Sequence, residues 1–149
     1  MIDNSQTKTA EVLTQIFHDN FVAYFRAHAA HVNIVGRNFP SDHKLLQKTY
    51  EDLQEQIDRI GELLRTLGAY MPCDFFEIAQ LTKLPTDPIE GTSEELIQLV
   101  SDDLQVLVDD FRELIEVAEA DTFRDIENYA EDRILAIEKH LWMQRATLS

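Results

Sequence analysis

The chain has 149 residues, 44% of them hydrophobic, with only 4 Gly and 4 Pro; this suits one domain of long helices with few turns. No apolar run nears the roughly 20 residues that a membrane span requires, so a spanning helix is excluded. Acids number 28 against 13 Lys plus Arg, a net charge of -15, which disfavours general binding to phosphate backbones, suits cations, and equally serves solubility alone.

The first predicted helix runs from about Thr7 to Val35. Its apolar stripe of Leu13, Phe17, Phe21 and Tyr24 continues at the same spacing into His28 and His31. Gly36 reads as its C-cap, and Pro40 suits the first turn of the next helix. That second helix spans about Ser41 to Leu67. Leu46, Tyr50, Leu53, Ile57, Ile60, Leu64 and Leu67 form a seam of alternating four- and three-residue steps, and Gly68 follows as a C-cap.

Residues 69–92 are punctuated by Pro72, Pro85, Pro88 and Gly91. Within them Cys73 to Leu81 predicts one short helix, and 82–91 predicts loop. Thr92-Ser93-Glu94-Glu95 is a capping box that opens the third long helix. The seam of that helix is Ile97, Val100, Leu104, Leu107, Phe111, Leu114 and Ala118. The fourth runs from about Thr122 to Arg145, with Ile126, Ala130, Ile134, Ile137 and Leu141 inward and Asp121 as candidate N-cap. The expected fold is all-α, one domain over 1–149. Four long helices with one long crossover between the second and third make the ferritin-like variant of the four-helix bundle.

The candidate metal ligands are His28, His31, His43, Asp58 and Glu62. Imidazoles and carboxylates together suit iron or another borderline divalent metal, zinc included. Asp58 and Glu62 lie four apart and share a helix face. Such a pair also reads as an ordinary solvated face, and His31 as a packed core histidine. His43 and Asp58 sit on one predicted helix, about 22 Å apart at the usual rise. One chain therefore cannot close a site from both. Two copies of the helix packed antiparallel about a two-fold axis could.

The segment HAAHVNIVGRNFPSDHKLLQKTYEDLQEQIDRIGELLRTLGA resembles the signature of the Dps family, the starvation-induced mini-ferritins. That family shows H-x-x-H-W-N-x-x-G-x-x-F, a histidine twelve residues beyond the second of these, then D-x-x-x-E and L-G-G. The matches are His28, His31, Asn33, Gly36, Phe39, His43, Asp58, Glu62, Leu67 and Gly68. Lys139, His140, Trp142 and Met143 resemble the K-H-x-W-M core of the family's last helix.

The resemblance implies a dodecameric cage with ferroxidase sites at two-fold interfaces. His31 and His43 of one subunit would face Asp58 and Glu62 of its partner. Fe(II) would be oxidised there, preferably by hydrogen peroxide, and stored as ferric mineral. His28 would support a ligand or pack on the dimer surface. His18 and His140 read as structural.

Three departures stand out. Gln47 occupies the place of a metal-binding aspartate, Val32 that of a tryptophan, and Gly61-Glu62-Leu63 that of A-E-R. An amide keeps a carbonyl acceptor and loses the charge, so the second metal should bind more weakly. That leaves two further readings: a metal-binding cage with weak or no oxidation, and a nucleoid or interaction protein without metal chemistry. Asp121 and Asp125, four apart, are candidates for an acidic iron-entry pore, with capping by Asp121 as the alternative. The N-terminus has neither the basic start nor the apolar stretch of a signal peptide, and the single Cys73 forms no intrachain disulfide. The expected location is cytoplasmic, and DNA binding is not expected.

Overall fold

A computed structural model describes residues 3–149. Among these residues five helices and no strand form: α1 (Lys8–Asn33), α2 (Phe39–Thr66), α3 (Phe75–Leu81), α4 (Ser93–Ala120) and α5 (Arg124–Leu148). The all-α, ferritin-like bundle with a short helix in its crossover is as the sequence predicts. No helix among them is long and apolar enough to cross a membrane.

Most of the predicted seam residues are core, with Phe21, Tyr24, Tyr50, Ile57 and Ile134 only half-buried, while α1 also buries Ile16, Ala23, Ala27 and Ala30 outside its predicted stripe. Leu46, Leu53, Ile60 and Leu64 of α2 and Leu104, Leu107, Phe111 and Leu114 of α4 are fully buried. α1 packs against both α2 and α4, and α4 packs against α5. Polar pairs give the directions. Asp103 of α4 meets Arg26 of α1, whereas Asp121 beyond the other end of α4 meets Thr9, so α1 and α4 are antiparallel. Gln144 of α5 meets Thr49 of α2, and Tyr129 meets Gln56, so α2 and α5 are antiparallel too. The starts of α2 and α4 lie together, where Ser93 Oγ donates to Asp42 Oδ2 at 2.9 Å. The chain must therefore return the full length of α2 before α4 begins, which is why the crossover is long.

Several helix ends differ from expectation. α1 stops at Asn33, with Ile34 as extended C-cap, so Gly36 lies in the following turn and does not cap the helix. Ile34 leaves helical geometry but stays 1% exposed, plugging the bundle's end. α2 begins at Phe39 with Pro40 in its first turn. Gly68 fulfils its assignment: at φ +88° its N–H bonds Arg65 O, and the Ala69 N–H bonds Leu64 O. That is a Schellman ending, in which a left-handed residue satisfies orphan carbonyls. α3 is shorter than predicted because Asp74 caps it, accepting from the N–H groups of Phe76 and Glu77. Thr92 caps α4 as the capping box predicts.

Asp121 is not the N-cap of the last helix. It is the C-cap of α4, and α5 starts at Arg124 behind Phe123. Asp121 and Asp125 therefore do not share a helix. Asp121 Oδ2 instead accepts from the N–H and the hydroxyl of Thr9, at 3.0 and 2.6 Å, and so satisfies an orphan donor in the first turn of α1. Replacing Asp121 with Ala should destabilise the fold by about 1 kcal/mol, the usual cost of a lost cap. Thermal unfolding would measure it, and an unchanged midpoint would rule the tie out.

A charged layer crosses the bundle between α1 and α4. Arg26 Nε donates to Asp103 at 2.7 Å with both side chains buried. Asp19 Oδ1 accepts from the Thr82 hydroxyl and the Lys83 N–H, both at 2.8 Å, while the Lys83 ammonium pairs with Asp110. Burial pushes the Asp110 carboxyl up to about 8, aided by its hydrogen bond to Asp19 and opposed by Lys83. These contacts pin the crossover to the bundle, where sequence patterning showed only loop.

Candidate metal centre

The turn between α1 and α2 sets the geometry. His31, in the last turn of α1, and His43, in α2, stack ring on ring with centroids 3.7 Å apart. Each ring reaches the other's backbone: His31 Nδ1 to His43 O and His43 Nδ1 to His31 O, both 2.7 Å. A carbonyl oxygen only accepts, so each Nδ1 carries the proton. In a neutral imidazole this leaves the Nε2 lone pair to bind a metal. One of these bonds also satisfies a carbonyl in the last turn of α1. Phe39 stacks on the other face of the pair, 4.9 Å from His43.

Asp58 and Glu62 project from an exposed face of α2. A hydrogen bond with the Asp58 carboxyl, then the charge of Asp58, raises the Glu62 pKa; Arg59 only partly offsets this. Two carboxylates close enough to share a proton are in mutual repulsion once ionised, and a cation relieves it. Gly61 beside them has a packing reason: a Cβ there would stand 2.8 Å from Met71 Sδ. The crossover thus lies directly on α2 at this point.

The structure brings each pair together but keeps the pairs apart. Among the described residues no three His, Cys, Asp or Glu side chains converge as a metal site within one chain. Gln47, one turn beyond His43, donates from Nε2 to Glu51 Oε1 at 2.8 Å and keeps its own carbonyl oxygen as acceptor. His28 packs inside its own chain, stacked on Tyr50 at 3.9 Å, with its Nδ1 2.9 Å from the Tyr24 hydroxyl. Asp125 is exposed in the first turn of α5.

Linear reading left several groups unplaced. His140 Nε2 lies 2.9 Å from Asp52 Oδ2, and Arg133 holds both Asp52 oxygens at 3.0 and 3.1 Å. His18 is buried with no partner for Nδ1, and burial lowers its pKa. Tyr24 and Tyr50 read as seam residues, yet they flank the histidines. The four-residue step from Tyr24 to His28 was the available signal.

Comparisons with known proteins identify the fold and the family. Residues 10–149 match the ferritin-like domain family. The chain is 27% identical over 143 residues to a DNA protection during starvation protein of Helicobacter pylori, covering 95% of this chain and 99% of that one. It resembles the crystal structure of a Vibrio cholerae Dps protein, described as a member of a broad superfamily of ferritin-like diiron-carboxylate proteins. That match has 28% identity, a TM-score of 0.89, and covers 99% of this chain and 94% of the other. It likewise resembles Helicobacter cinaedi CAIP, at 27% identity and TM-score 0.89, covering 95% and 100% of the two chains.

Proposed function

Since the chain belongs to the ferritin-like domain family, we propose that it oxidises and stores iron at sites closed between two copies of itself. One observation supports this above the rest: the chain holds two half-sites of opposite chemistry and cannot join them alone. His31 and His43 offer two Nε2 lone pairs, and Asp58 and Glu62 offer crowded carboxylates, about 22 Å along α2 from His43 at the usual rise. An antiparallel two-fold contact sets each pair against the other's complement. Exposed apolar side chains are available for such a contact on α1 and on α3: Phe25 is 65%, Val32 62%, Phe75 73% and Phe76 84% exposed. Large exposed apolar patches are rare on monomers.

Fe(II) is the substrate, bound by His31 and His43 of one copy and by Asp58 and Glu62 of the other. Hydrogen peroxide takes one electron from each of two ferrous ions and, with two protons, leaves as two waters. The ferric product collects inside a hollow assembly, a dodecamer, and of the two acids Asp121 and Asp125 only Asp125 stays a candidate for its acidic entry. The carboxylate of Asp125 is the more available, because Asp121 Oδ2 is engaged by Thr9. The acidic charge opposes tight DNA binding at physiological salt.

Anaerobic ferrous titration followed by peroxide tests this reading, with native mass reporting the assembly. Rapid growth of near-ultraviolet ferric absorbance is expected. Metal uptake without it would favour a binding cage for iron or zinc, and no uptake would exclude metal chemistry. Replacing Gln47 with Asp should raise the initial rate about tenfold, the lower end of what groups supporting a metal contribute. An unchanged rate would show that the missing charge is not limiting.

A further inference from the structure

We propose that the cavity between the crossover and α4 binds an α-amino acid with a large apolar side chain, its carboxylate on Arg26 and its ammonium on Asp103. This site shares no residue with the proposed metal centre and stands apart from the iron reading.

The cavity follows from how the crossover docks. Asp19 accepts from the Lys83 N–H at 2.8 Å and the Lys83 ammonium pairs with Asp110, so the segment after α3 is held against the bundle. Facing it, Glu95, Leu99, Asp102 and Val106 recur at steps of four and three and share a face of α4. A cavity of about 710 Å³ lies between them. That is the size of small-molecule sites, which are mostly apolar with a few placed polar groups. Leu84, Pro85, Ile89, Leu99 and Val106 supply the apolar lining, and Arg26 and Asp103 are the buried polar groups.

That polar pair is incomplete. The Arg26 and Asp103 side chains are 7% and 4% exposed, and a single hydrogen bond joins them, from Arg26 Nε to Asp103 Oδ2. Among the described residues neither Nη of Arg26 nor Oδ1 of Asp103 has a hydrogen-bond partner, yet none of these atoms is sealed in the interior. The free edge of a guanidinium matches a carboxylate through two parallel bonds. Burial pushes the Asp103 carboxyl up to about 6 even with Arg26 beside it, so its charged form gains from a second cation. Arg26 also borders the groove between α1 and α3, but Asp103 opens only onto the crossover cavity.

Charge selects the ligand. Asp103 already neutralises Arg26, Lys83 is engaged by Asp110, and the exposed acids Asp87, Glu94, Glu95 and Asp102 stand around the cavity. A phosphate or a simple carboxylic acid meets repulsion from these acids. A simple amine suits them but leaves the guanidinium edge unpaired, which is costly for a buried donor. An α-amino acid carries ammonium and carboxylate on one carbon, so it answers both open ends of the pair at once. Its side chain then fills the apolar lining.

The test is equilibrium dialysis of the assembled protein against radiolabelled L-leucine at millimolar concentration. Saturable uptake is expected. 4-Methylpentanoate, which lacks the ammonium, and isopentylamine, which lacks the carboxylate, should each compete at least about tenfold more weakly, the usual loss for a hydrogen bond to a charged group. Val106→Phe, which grows into the cavity away from the polar pair, should abolish uptake while ferric absorbance still grows with Fe(II) and peroxide. No saturable uptake of leucine by the wild type would overturn the site. Equal competition by either truncated probe would overturn recognition of both charges, and undiminished uptake by a folded Val106→Phe assembly would place the ligand elsewhere.

Discussion

His43→Ala and Glu62→Ala chains, each nearly inactive alone, are expected to recover about a quarter of the wild-type oxidation rate when refolded or co-expressed together as an equal mixture, by the symmetry of a two-fold pair. Alone, each variant should lose about a hundredfold or more in rate, because a direct ligand contributes at least as much as the groups that support one. In a mixed dimer one of the two sites collects both lesions. The other is built from the intact histidines of one chain and the intact carboxylates of its partner. Half of the dimers are mixed, and each carries one good site of two. A site contained in a single chain gives no recovery. Mixed assemblies verified by native mass spectrometry yet as inactive as their parents would therefore sink the shared site.

Asp52→Ala is expected to destabilise the fold by about 3 kcal/mol, because it strands the Arg133 guanidinium without a counter-ion. The Arg133 side chain is only 6% exposed, and Asp52 binds it through both oxygens while also meeting His140. Burial alone would raise the Asp52 pKa. The hydrogen bonds and charges of His140 and Arg133 outweigh burial and hold it at about 2. A carboxyl with a depressed folded-state pKa stabilises the fold fully above its ordinary value near 3.8, and this stability is lost as the pH falls towards 2. That portion amounts to about 2 kcal/mol. The wild type should lose it between about pH 4 and pH 2, and the variant should lack that portion of the acid dependence. Thermal unfolding at neutral and acid pH measures both effects. Equal midpoints at neutral pH, or an identical acid limb, would show that the pair contributes little.

The architecture was legible because it rests on periodicity. The α2 seam from Leu46 to Leu67 and the α4 seam from Ile97 to Ala118 are the buried faces, as any helix with those spacings must bury them. Local chemistry was legible for the same reason at Thr92 and Gly68, where a cap depends on neighbours a few residues away. His31, His43, Asp58 and Glu62 stood out by residue type and by a resemblance, and their separation into two distant pairs followed from helical rise alone.

What the linear order concealed was every pairing across helices. Asp121 reads as a cap for the helix that follows it, yet it sits at the end of α4 and accepts from Thr9 in the first turn of α1. Asp52 looks like one more acid on an acidic helix until Arg133 and His140 arrive from α5. Tyr24 and Tyr50 are seam residues by spacing and become neighbours of the histidines only when α1 folds against α2. The amino-acid sequence by itself determined the helices, their buried faces and the kinds of ligand available, because these depend on residues within a turn or two. Which carboxylate serves which helix, and which rings touch, was decided only by tertiary packing, since contacts between distant segments depend on how whole helices dock.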